Sequence, residues 1–168
     1  KGIANLEKHI ENVQCFGLKA VVAINHFPHD SEEEIAYIQS FCKEQGVEAI
    51  VSRGFSEGGA GTQELARAVV AIAESGESHF TPLYDHAASV EEKIKTVATR
   101  IYGARGVNYS TKALSQLKQI SKLGFDKLPI CMVKTPKSLS DDEKKLARPT
   151  DFEVTVREFE FASGAGFI

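Results

Sequence analysis

Between residues 4 and 74 the apolar positions switch between two spacings. Leu6, Ile10 and Val13 recur at helical intervals, which predicts a helix over 4–16 that Gly17 ends. The run AVVAI within 18–25 is unbroken and valine-rich, the pattern of a strand covered on both faces. Ser31 with Glu34 forms a capping box and opens a second helix. Ile35, Ile38, Phe41 and Cys42 make the buried stripe of that helix, and Gly46 is its stop. VEAIVS at 47–52 repeats the buried-strand pattern. After a glycine-rich loop, Leu65, Ala68, Val69 and Ile72 define the inward face of a helix over 63–74. Helix, strand, helix, strand, helix in this order predicts a parallel sheet with right-handed crossovers.

The second half is less regular. Residues 78–88 read as a loop or short strand around FTPLYD, and Ser89 with Glu92 opens a helix running to Tyr102. A further helix covers 111–123 and ends at Gly124; LPICMVK at 128–134 reads as a third buried strand. Residues 136–151 form a long polar loop with Lys137 in it and DDEKK as a solvated turn. FEVTVREFEF at 152–161 alternates and reads as a strand with one wet face, at or near an edge. The expected fold is α/β: three layers, a mostly parallel sheet with helices on both faces, and a single domain over 1–168 with no internal linker or repeat.

Composition narrows the function classes. The chain has 168 residues, 42% hydrophobic and 26% charged, with net charge −3, which fits one domain with a real core. Lys and Arg interleave with acids and form no basic stripe, which argues against nucleic acid. No apolar run approaches the ~20 residues of a membrane span, and no secretory signal is visible. Cys15, Cys42 and Cys131 lack metal-ligand spacing and read as free core or near-core thiols of a reducing, cytoplasmic protein. The start at Lys1 and the apolar finish GAGFI suggest an excised piece of a longer chain.

Ligands of open parallel sheets bind beyond the carboxyl ends of the strands. Two loops leave such ends, NHFPHD and RGFSEGGAG, and each carries a phenylalanine just past its strand, Phe27 and Phe55. Either ring can tuck into the core, or the two can clamp a flat heterocycle. His26, His29 and Asp30 lack a third strong ligand, so exposed loop histidines are favoured over a metal site. Asn25 serves its own turn or a bound base, and no guanine-reading motif follows it. EGGAG, residues 57–61, precedes a helix and resembles a phosphate cradle, but no Gly-Lys-Ser/Thr follows. Arg157 has Glu153 and Glu158 as candidate partners, or a ligand. No nucleophile elbow or Ser/His/Asp set stands out.

The strings NLEKHIENVQCFGLKAVVAINHFPHD, FSEGGAGTQELA, KIKTVATRIYGARGV, LPICMVKT, SLSDD and GAGFI resemble the formate–tetrahydrofolate ligases, in order and essentially end to end. The resemblance implies formation of 10-formyltetrahydrofolate from formate, ATP and tetrahydrofolate through formyl phosphate. It also implies ATP and Mg2+ held mostly by an N-terminal P-loop domain outside these residues, and a homo-tetrameric parent. The chain alone is therefore expected to be inactive, and no catalytic residue or metal ligand is assigned within it. Family loops reading Asn-x-Phe and Trp-x-x-Gly-Gly sandwich the folate ring. They carry over to Phe27 and Phe55, with Glu57, Gly58 and Gly59 beside the folate and Asn25 near the base or pterin. Phe55 replaces the usual tryptophan, which offers less stacking area. The alternative is a non-catalytic α/β regulatory or interaction module.

Overall fold

The structure, a computed structural model, describes residues 2–136 and 138–168, so Lys137 of the polar loop lies outside the described residues. In chain order the elements are α1 (Ile3–Gln14), β1 (Val21–Asn25), α2 (Glu32–Glu44), β2 (Glu48–Ser52), the single turn α3 (Gly54–Glu57), α4 (Gln63–Glu74), α5 (Val90–Thr96), β3 (Gly106–Tyr109), α6 (Thr111–Lys122) and β4 (Glu153–Val156). The chain divides into two compact units, one of residues Val13–Thr81 and one joining the stretch up to Asn12 with Pro82–Ile168. The expected α/β class with parallel pairing is present, distributed over two two-stranded parallel sheets.

In the first unit β1 and β2 pair in parallel from Val21↔Glu48 to Asn25↔Ser52. Helix α2 crosses between them. The Ser31 hydroxyl accepts the Glu34 N–H while the Glu34 carboxylate accepts the Ser31 N–H, the reciprocal cap anticipated from sequence. Ile35 and Cys42 of α2 are buried, as are Val47 and Ile50. The β1 strand is not covered on both faces within this chain: Ala23 and Asn25 are exposed while Val22 and Ile24 are half-buried. Val69, expected to face inward, is 49% exposed, because α4 packs through Leu65, Ala68 and Ile72, which are half-buried. Gly17 sits at φ +70 with the His79 carbonyl so close that a Cβ would lie 2.1 Å from it. That approach lets the His79 N–H donate to the Gly17 carbonyl at 2.8 Å and stacks Phe16 on Phe80 at 6.1 Å.

In the second unit α5 begins with the Ser89–Glu92 capping box and runs on as a π-helical turn over Val97–Ile101. Val90, Ile94, Ala113, Leu117 and Ile120 form one core cluster with Phe159 and Ile168; Ala98, Tyr102, Leu139, Phe152 and Val154 belong to another. Lys93 is fully buried, and its ammonium donates to the carbonyls of Asp126 at 2.9 Å and Leu128 at 3.1 Å. Desolvation, with Lys127 nearby, lowers its pKa.

Five sequence expectations are revised in this unit. Strand β3, unanticipated, pairs in parallel with β4 from Gly106↔Glu153 to Tyr109↔Val156. Residues 128–134 run without strand pairing among the described residues; Leu128, Ile130 and Met132 pack against the core while Cys131 and Val133 stay exposed. β4 stops at Val156 because the Gln116 side chain then takes both backbone groups of Phe159, at 2.9 and 3.0 Å. The polar loop is partly interior: Ser138, Leu139 and Ser140 are buried, with the Ser140 hydroxyl accepting the Asp142 N–H. Cys131 is exposed, whereas Cys42 is buried and its thiol pKa is raised by that burial.

Candidate functional site

The ladder of β1 and β2 ends at Asn25↔Ser52, so both following loops leave from the same end of adjacent parallel strands. The His26 N–H donates to the Ser52 carbonyl at 3.0 Å and extends the pairing by one step. The chain then turns. The Asp30 carboxylate accepts the Phe27 N–H at 2.7 Å, and the Asp30 N–H donates to the Phe27 carbonyl at 3.0 Å. Asp30 is thus the clamp of the NHFPHD turn, a role the sequence reading did not assign to it. On the other strand, the Arg53 N–H donates to the Gly61 carbonyl at 2.9 Å and closes the base of the second loop. A Cβ on Gly61 would lie 2.6 Å from the Arg53 oxygen, so that closure requires glycine. Within the loop, α3 carries Phe55.

These two loops bring Phe27 and Phe55 together, with ring centroids 5.0 Å apart and planes at 52°. Neither ring is core: Phe27 is 41% exposed and Phe55 68%. A heterocycle held between two rings needs two van der Waals contacts of about 3.5 Å, a centroid separation of about 7 Å. At 5.0 Å the pair is in mutual contact, so a sandwiched ligand must part the rings by about 2 Å. Phe55, on a single exposed helical turn, is the ring with room to move.

The remaining loop residues divide in role. Asn25 is exposed at the strand end, and Glu57 makes only a loose exposed pair with Arg53 at 4.0 Å. Gly58 holds φ +59 and ψ −141, a conformation that excludes side chains, while Gly59 is open to solvent. The N–H groups of Gly58, Gly61 and Thr62 donate to Gly54, Gly58 and Gly59 carbonyls. Those donors are spent inside the loop, which does not fit a phosphate cradle. Among the described residues no three of His, Cys, Asp and Glu converge as metal ligands, and no helix is long and apolar enough to cross a membrane. Among the described residues Arg157 makes no salt bridge with either suggested acid, although its charge favours the Glu158 carboxylate: Glu158 meets Lys112, and Glu153 meets Arg105 and Asn108.

The family model for formate–tetrahydrofolate ligase matches residues 1–168. The chain belongs to this family. A formate–tetrahydrofolate ligase from Limosilactobacillus fermentum is 51% identical over 167 residues, an alignment covering 99% of this chain and 30% of that protein. The chain thus spans about a third of the length of this ligase relative. The paired aromatic loops lie within the aligned region, as does a cavity of about 570 Å³ in the second unit, lined by residues between Ile94 and Ile168.

Proposed function

We propose that residues 1–168 are a domain-sized piece of an ATP-dependent formate–tetrahydrofolate ligase and that the two loops after β1 and β2 form its folate-binding wall. The observation that carries this reading is the exposed pair Phe27 and Phe55, 5.0 Å apart on in-register loops of a chain in this family. Two apolar rings left in water beside each other stabilise a flat heterocycle that covers them. Glu57, Gly58 and Gly59 shape the rim next to Phe55, and Asn25 offers an exposed amide to the pterin edge.

The longer protein joins formate, ATP and tetrahydrofolate through formyl phosphate in the cytoplasm, as a homo-tetramer. ATP and Mg2+ belong to a P-loop domain outside these residues, because the sequence has no Gly-x4-Gly-Lys-Ser/Thr and the N–H groups of Gly58, Gly61 and Thr62 are internally bonded. This chain then positions the folate acceptor and leaves phosphoryl transfer to the other domain. By itself it should not turn over.

The test is calorimetric titration of tetrahydrofolate into this chain and into the full-length ligase, each with Phe27→Ala alongside. Losing one stacking ring costs about 0.5–1.5 kcal/mol beyond area burial, so binding to the full-length ligase should weaken by at least about 2- to 12-fold. Unchanged affinity in that protein refutes the folate wall. ATP-dependent formyl transfer by the isolated chain refutes the division of labour.

A further inference from the structure

Phe27 and Phe55 are carried on supports of different stiffness. Phe55 rides on α3, four residues with no buried side chain, followed by Gly58 and Gly59, around which the Cβ positions meet only open space. Phe27 is held from both sides. The ladder ends at Asn25↔Ser52, and the His26 N–H carries it one bond further to the Ser52 carbonyl. Phe27 is therefore the first residue past the sheet, and its main-chain groups need new partners.

Asp30 supplies both. Its carboxylate accepts the Phe27 N–H at 2.7 Å, a short charge-assisted bond, and its own N–H donates to the Phe27 carbonyl at 3.0 Å. Phe27–Asp30 is thus a β-turn with Pro28 at its second position, where the pyrrolidine presets φ. Asp30 is itself anchored, because Ser31 caps α2 and fixes where that helix starts. Without the carboxylate the turn keeps only its single main-chain bond, and the Phe27 N–H turns to water. A heterocycle that enters between the rings parts them by about 2 Å, and the ring on α3 is the one that yields. The other ring then has to stay in place. A wall ordered before the ligand arrives loses no further backbone freedom on binding, which tightens the complex.

We propose that Asp30 is a positioning residue for the folate acceptor: it acts through Phe27, holding that ring as the stationary wall against which Phe55 closes. This inference rests on the folate-wall reading and adds to it a residue with a separate test.

The test is the tetrahydrofolate Kd of the full-length ligase and of its variants Asp30→Ala, Asp30→Asn, Phe27→Ala and the double variant Phe27→Ala with Asp30→Ala. Each is titrated calorimetrically at a temperature where a thermal melt shows it folded. Asp30→Ala should weaken binding by about 3- to 10-fold. Asp30→Asn keeps a side-chain oxygen to accept the Phe27 N–H and should bind within about twofold of the parent. In the Phe27→Ala background there is no ring to hold, so Asp30→Ala should cost less than about twofold more. Unchanged affinity in Asp30→Ala, with Phe27→Ala weakened, overturns this inference and leaves the folate wall standing. An equal cost of Asp30→Ala with and without the ring also overturns it, since Asp30 then acts on the ligand or the fold rather than through Phe27. Asp30→Asn as weak as Asp30→Ala overturns the hydrogen-bond basis and the inference with it. If Phe27→Ala binds as tightly as the parent, the wall itself fails and takes this inference with it.

Discussion

Replacing Phe55 by alanine separates binding from folding more cleanly than any other change in this molecule. Phe55 is 68% exposed on a helical turn of four residues with no buried side chain. A phenylalanine side chain carries on the order of 200 Å² of surface. About 140 Å² of it is therefore already in water, and a stacked heterocycle covers one face, about 70 Å². At ~25 cal/mol/Å² that face is worth about 1.7 kcal/mol, and stacking geometry adds about 0.5–1.5 kcal/mol. Association converts only part of such area into affinity, so the net loss expected is about 1–2.5 kcal/mol, or roughly 5- to 70-fold in Kd for tetrahydrofolate. Folding should barely notice: the ring is mostly exposed and its aromatic contact is with Phe27, so the melting temperature should move by no more than about 2 °C. The assay pairs calorimetric titration of the full-length ligase with a thermal melt. Phe55→Trp is the matched control and should bind at least as tightly as the parent. A Kd within twofold of the parent for Phe55→Ala, or a melting temperature that falls in step with affinity, refutes the reasoning.

Other residues give independent checks. Gly61→Ala places a Cβ 2.6 Å from the Arg53 carbonyl, so the loop base must shift; a loss of about 1–3 kcal/mol in denaturant unfolding, with weaker folate binding, is expected. Lys93→Met removes the donor to the Asp126 and Leu128 carbonyls, and a destabilisation of about 1–3 kcal/mol should follow in the same assay. The pH dependence of Lys93 has a definite sign. Its folded pKa is below the ordinary 10.5, so the unfolded state holds that proton more tightly; stability from this group rises with pH between the lowered folded value and 10.5, and Lys93→Met abolishes that slope. Burial, with Glu91 nearby, pushes Tyr109 up to about 12, so an ultraviolet phenolate titration of the folded protein should show a phase near that pH, beside a Tyr102 that burial also raises, and Tyr109→Phe should remove the phase near 12.

Local chemistry was the most legible layer. The capping boxes at Ser31–Glu34 and Ser89–Glu92 are made within one helical turn, so residue identity and spacing suffice to read them. The same holds for Gly17, which stops α1 in the left-handed region. The two valine-rich runs announced β1 and β2, and their shared crossover helix implied that they run parallel. The resemblance in the loop strings pointed to Phe27 and Phe55 as a pair, whereas composition and spacing left each ring undecided between core and ligand.

Other features depend on partners distant in sequence. Strand β3 is four residues, too short for any periodicity, and exists because β4 lies beside it 47 residues later. The apolar stretch 128–134 reads as a strand because burial and pairing leave the same apolar signature; Leu128, Ile130 and Met132 pack, while its main chain bonds Ile168 and the side chains of Tyr84, Lys93 and Tyr102. β4 ends where Gln116, on α6, takes over the backbone of Phe159. Val69 turned outward because helical spacing fixes a stripe but not which edge of that stripe meets the sheet. The contact between Phe27 and Phe55 follows from register: Asn25 opposite Ser52 starts both loops at one level, and the Asp30 and Gly61 closures aim the rings at each other. Helix starts, stops and buried runs are short-range consequences of residue type. Register, ladder partners and the meeting of two loops are long-range, and only the folded chain sets them.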